Sequence, residues 1–158
     1  MMREARIRRL PVIVSALVAL CFAILPLPTV LDAFRPDFLA LVVLYWSIEQ
    51  PRAGGLTLAF FAGLALDLTN GVVLGQHALA LTLTAAWATN LRLRIRVFSM
   101  LTQCLTVFAL AFMYQFLLFW IDGATGNPVT SYSRWLATPI DGLLWPFVVG
   151  IMSRLHER

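Results

Sequence analysis

Gly63 to Leu79 reads GLALDLTNGVVLGQHAL, and it places Asp67, Asn70, Gln76 and His77 inside a stretch that is otherwise apolar. A second ionisable side chain, Asp141, lies in WLATPIDGLLWPFVVG between Pro139 and Pro146. A carboxylate grouped with an amide and an imidazole can bind a cation or a polar ligand. A carboxylate beside a turn can instead accept hydrogen bonds from backbone amides, either in the TNG turn or at the start of the following helix. The spacing alone leaves both readings open for Asp67. For Asp141 the same choice arises, because Pro139 and Pro146 each remove a backbone donor and are expected to bend or break a helix. Asp141 would then satisfy amides freed nearby, or share one polar cavity with Asp67.

Several chemistries are poorly served by the rest of the chain. His77 has no second His or Cys at ligand spacing, which argues against a metal site. No serine sits in a GxSxG turn, so a hydrolase nucleophile is missing. The Asp-Gly pairs at Asp122 and Asp141 lack the further aspartates that metal-assisted phosphoryl transfer requires. Gly71 to Gly75, GVVLG, lacks the following Lys-Ser/Thr of a phosphate loop. The sequence therefore points away from an enzyme and calls for no cofactor.

The elements that hold these residues are set by composition. Of 158 residues, 60% are hydrophobic and 13% charged, and the mean hydropathy is +0.82. A soluble domain carries about 25% charged residues, so the expected solvent is lipid. All twelve basic residues are arginine, giving a net charge of +4. They fall between apolar runs rather than on an aromatic-studded polar face, which argues against nucleic acid. Cys21 and Cys104 lie in apolar runs and are expected to be packing residues.

Apolar runs predict six transmembrane helices over residues 11–31, 36–50, 53–68, 72–91, 98–121 and 135–153, forming one all-α polytopic bundle. Pro36 and Asp37 suit the start of the second, and Pro51 ends it. MMREARIRR precedes the first run, and PLPTVLDAF offers no small-residue cleavage site, so that run reads as an uncleaved span. With the N-terminus inside, ten arginines fall on the inner side and only Arg35 and Arg134 on the outer. That bias predicts both termini in the cytoplasm. Gly55, Ala59 and Gly63 recur every four residues and predict a small-residue face for close helix approach. RLRIR at Arg92 to Arg96 reads as an inner-face anchor, and Trp46, Trp120 and Trp135 as interfacial belt residues. The aromatic run FMYQFLLFW (Phe112 to Trp120) is expected to face lipid tails or a partner helix.

Two stretches taken together resemble a known family. RPDFLALVVLYWSIEQP (Arg35 to Pro51) and GLALDLTNGVVLGQHAL are similar to the rod shape-determining protein MreD family, through Arg35, Pro36, Asp37, Tyr45, Trp46, Gly63, Asp67, Gly71, Gly75, Gln76, His77 and Ala78. The resemblance is motif-rich over residues 35–79 and rests mainly on hydropathy over 97–158. It implies a non-catalytic, multi-pass subunit of the bacterial inner (cytoplasmic) membrane in the cell-wall elongation machinery. The implied partners are MreC and, indirectly, MreB filaments, RodA and a class B penicillin-binding protein. It also implies a fold similar to the substrate-binding membrane subunits of energy-coupling factor transporters. The rival reading is accordingly a substrate-binding subunit of a small-molecule transporter, using Asp67, His77 and Asp141.

Overall fold

Prolines and glycines end several of the helices of this chain. The computed structural model describes residues 9–126, 132 and 134–157. Arg3, Arg6, Arg8 and Arg158, which entered the charge count, and loop residues 127–131 and 133 lie outside the described residues. Among the described residues there are eight helices and no strand: α1 (Arg9–Ile24), α2 (Thr29–Asp32), α3 (Phe38–Glu49), α4 (Pro51–Gly54), α5 (Leu56–Asn70), α6 (Gln76–Val97), α7 (Met100–Ala124) and α8 (Arg134–Glu157).

The first expected span is divided. Pro26 and Pro28 cannot donate backbone hydrogen bonds and disfavour helix in the residues before them, so α1 ends at Ile24 and a single turn, α2, follows. Pro51 takes the first position of α4, and Gly55 separates α4 from α5. Gly71 (φ 64°) ends α5 and Gly75 (φ 98°) precedes α6, so the link between them turns on two residues in a left-handed conformation that favours glycine. Pro139 and Pro146, by contrast, end nothing: α8 continues through both. Of the expected bend or break, the break does not occur.

Three stretches are long and apolar enough to cross a bilayer unaided: Pro51–Asn70, Met100–Ala124 and Arg134–Glu157. α1 and α3 are shorter apolar helices. At about 1.5 Å per residue, the 12 residues of α3 cover about 18 Å, against a hydrocarbon core of about 30 Å. α3 needs no lipid-facing length, because every residue from Leu39 to Ile48 is buried. It packs against α1, α6 and α8 and is the central helix of the bundle.

Around it the core is built from aromatics and small residues. Trp46 is fully enclosed, and its Nε1 donates to Ser15 Oγ at 2.8 Å, tying α3 to α1. Tyr45 packs at a tilt against Trp145 of α8, with ring centroids 6.4 Å apart. The belt position expected for Trp46 is thus wrong: an indole whose N–H finds a partner inside the protein does not have to reach the lipid headgroups. Trp120 is 64% exposed and stands on the lateral surface. Cys104 is half-buried, whereas Cys21 lies exposed on α1 rather than packed as expected.

α5 and α6 form the tightest pair. A methyl group added at Gly63 would lie 2.5 Å from the Ala78 amide nitrogen and 2.7 Å from the His77 carbonyl carbon. Those are backbone atoms, which cannot swing aside. Gly63→Ala is therefore expected to destabilise the chain by about 1–3 kcal/mol. Gly123→Ala, where no atom stands within 4 Å of an added methyl, is expected to be neutral or stabilising. Thermal unfolding of the two variants in detergent checks the contrast.

Candidate functional site

The buried and half-buried aspartates Asp37, Asp67, Asp122 and Asp141 collect at one end of the bundle, and each has a mechanical reason for its place. Asp67, in the last turn of α5, has no exposed surface. Its Oδ2 accepts from the Gly75 amide at 2.9 Å and, more weakly, from the Ala78 amide at 3.4 Å. Its Oδ1 accepts from the His77 amide at 2.9 Å, and His77 Nδ1 lies 2.8 Å from the same oxygen. The first amides of a helix have no partner within it. One carboxylate therefore closes the start of α6 onto the end of α5, where the helix dipole also favours a negative charge.

A second carboxylate does the same for α3. Asp141 Oδ1 accepts from the Asp37 backbone amide at 2.8 Å, across from α8 to the start of α3. The freed amides of its own helix are not its targets, contrary to expectation. The Asp37 carboxylate in turn accepts from Gln115 Nε2 of α7. Asp141 Oδ2 is buried without a partner among the described residues.

A third knot joins α6, α7 and α8. Asp122 accepts from Gln76 Nε2 on one oxygen and from Arg134 Nη1 at 2.6 Å on the other. Arg35 donates to the Phe22 carbonyl and lies 3.5 Å from Asp32, holding the connection between α1 and α3. Pro36 sits in this connection, and its carbonyl accepts from the Phe38 amide at 3.0 Å. The Tyr114 ring packs 6.4 Å from His77, centroid to centroid. Asp37, Asp67 and Asp141 all lie within electrostatic range of its phenol. The three carboxylates thus share one polar layer but hold separate hydrogen bonds.

Tyr45 and Trp46 lie towards the opposite end of α3, where Trp46 packs 5.9 Å from His156 and Glu49 pairs with Arg96 at 3.3 Å. The structure therefore gathers Arg35, Pro36, Asp37, Asp67, Gly71, Gly75, Gln76, His77 and Asp141 at one end and leaves Tyr45 and Trp46 in the core beneath. Gln115, Asp122 and Tyr114 complete the layer; by sequence Asp122 was weighed only as part of an Asp-Gly pair, and the other two were not singled out. Their signal was present: Gln115 interrupts an apolar aromatic run, and Asp122 follows seven residues later, about two turns on and so on the same face.

Residues 5–155 match the family described as rod shape-determining protein MreD. The rod shape-determining protein MreD of Haemophilus influenzae is 28% identical over 141 residues, covering 89% of this chain and 87% of that protein. No solved structure matches.

Removing the Asp67 acceptor strands the amides of Gly75 and His77, each at a cost of about 1–3 kcal/mol. Asp67→Ala is expected to lower stability by about 3 kcal/mol or more, and Asp67→Asn, which retains one acceptor oxygen, by less. Denaturant or thermal unfolding in detergent measures the order, and equal stability of Asp67→Ala and the unaltered chain would contradict the capping role.

Proposed function

This chain belongs to the rod shape-determining protein MreD family, and from that premise, which implies a part in determining rod shape, we propose that it is a non-catalytic adaptor of the inner-membrane cell-wall elongation complex. In this reading the bundle binds the membrane segment of MreC and so couples peptidoglycan synthesis, by RodA and a class B penicillin-binding protein, to MreB filaments. The observation that carries it is the internal use of the polar layer: Asp67, Asp122 and the Asp37 carboxylate are engaged in hydrogen bonds between helices. A side chain locked in this way serves the scaffold. The exposed surface offers partners a large apolar area, which on α7 includes Phe112, Phe116, Phe119 and Trp120.

The same reading has six membrane-crossing segments, with α1 and α2 together forming the first and both termini cytoplasmic. Two features support it. The pairing of Glu49 with Arg96 and the packing of Trp46 on His156 put the basic ends of α6 (Arg94, Arg96) and α8 (Arg154, His156) at the same end as the α3 C-terminus. Arg35 and Arg134 lie at the other end, with the carboxylates. The transporter-subunit reading, with its likeness to energy-coupling factor subunits, draws on Asp141 Oδ2, which has no partner among the described residues.

Depletion of the chain in a rod-shaped host is expected to give rounded cells, rescued by the unaltered chain. Mild-detergent pull-down of the tagged chain is expected to recover MreC, and Phe116→Ala with Trp120→Ala to recover less of it while folding normally. Cells that stay rod-shaped, or recovery of an ATPase subunit with a stoichiometric small molecule in place of MreC, would overturn the adaptor reading.

A further inference from the structure

The lateral surface carries a feature that neither the polar layer nor the aromatic face uses. Between α1 and the α4–α5 stretch lies an open groove of about 470 Å³. Small side chains such as Ala16 and Ala62 leave the space, and Leu17, Leu20 and Phe61 line it with hydrocarbon. Two exposed arginines, Arg9 at the start of α1 and Arg52 in α4, also line it. Neither forms an ion pair among the described residues.

The dimensions of this groove select its occupant. From Arg9 to Leu20, eleven steps of about 1.5 Å give a length of about 16 Å. Half of a hydrocarbon core of about 30 Å is about 15 Å, so the groove runs the depth of one leaflet from its charged end. A helix with its side chains, about 10–12 Å across, occupies on the order of 1,200 Å³ over that length and could dip only a few side chains into the space. An acyl chain is narrow enough to lie within it. The guanidinium groups at the charged end match a phosphate, which they can hold bidentately.

We propose that this groove binds one anionic phospholipid, with its phosphate held by Arg9 and Arg52 and an acyl chain laid between α1 and α5. The proposal rests on the bundle's membrane placement, and the six-segment topology assigns the lipid to the cytoplasmic leaflet. The lipid fills the space between two helices that pack against each other only lightly and so completes the bundle on that side.

Native mass spectrometry of the full chain, released from nanodiscs holding equal amounts of phosphatidylglycerol and phosphatidylcholine, tests it. The unaltered chain is expected to retain one phosphatidylglycerol. Arg9→Gln with Arg52→Gln is expected to reduce its preference over phosphatidylcholine by about 25-fold, at about fivefold for each arginine near an anionic surface. Leu17→Trp, an exposed position in the groove, is expected to remove the retained lipid with both arginines intact. Arg94→Gln, outside the groove, is expected to change nothing. Unaltered thermal unfolding shows that the variants fold.

Equal retention of the two lipids, or persistence of the preference in the double variant, overturns the proposal. So does an equal loss in Arg94→Gln, which would indicate diffuse surface attraction. Displacement by glycerol phosphate at the same concentration as by lipid would reduce the site to an anion contact and also overturn it. A chain that inserts and retains no lipid leaves the adaptor reading standing, whereas a chain that fails to float with liposomes removes the membrane premise of both.

Discussion

Helices that start inside an apolar bundle leave backbone amides with no water to bond, and in this fold those amides are met by carboxylates from neighbouring helices. Asp67 does this for α6 and Asp141 for α3. Each is a contact between the end of one helix and the beginning of another, so each fixes distance and direction together. An unsatisfied buried amide is costly. The bundle's register therefore depends on two side chains that hydropathy alone would mark as faults.

The short central helix follows from this constraint. α3 ends well short of a bilayer's thickness, and a helix so short can be accommodated only if its start is satisfied within the protein and its sides are covered. Asp141 supplies the first condition, while α1, α6 and α8 supply the second. The close approach of α5 and α6 has the same origin. With Asp67 pulling the α6 start towards α5, only glycine fits at position 63 against the Ala78 backbone.

Much of this could be read from the residue pattern. Gly71 and Gly75 announce a turn that needs left-handed backbone, and a buried Asp four residues before the first of them is well placed to meet the amides beyond it. The Gly55, Ala59 and Gly63 spacing announces a close-packed face, and Ala59 and Gly63 are indeed buried. Other features were hidden because hydropathy does not say which apolar helix is surrounded by protein. Trp46 had the look of an interfacial residue and is a core residue, since lipid and a neighbouring helix reward the same side chain. The partner of Asp141 was also out of reach: the Asp37 amide lies 104 residues away in sequence, and periodicity carries no information about such pairs. Pro139 and Pro146 each remove a backbone donor, yet α8 stays helical through both.

The central claim is that carboxylates from adjacent helices satisfy the starts of α3 and α6. Residue-resolved amide hydrogen exchange of the chain in bilayer nanodiscs addresses it directly. The Asp37, Gly75 and His77 amides should be as protected as that of Leu64 in the middle of α5. Exchange at these three as fast as at Val73 and Leu74 in the exposed link would contradict the account, since those amides would then be bonding water and not Asp67 or Asp141.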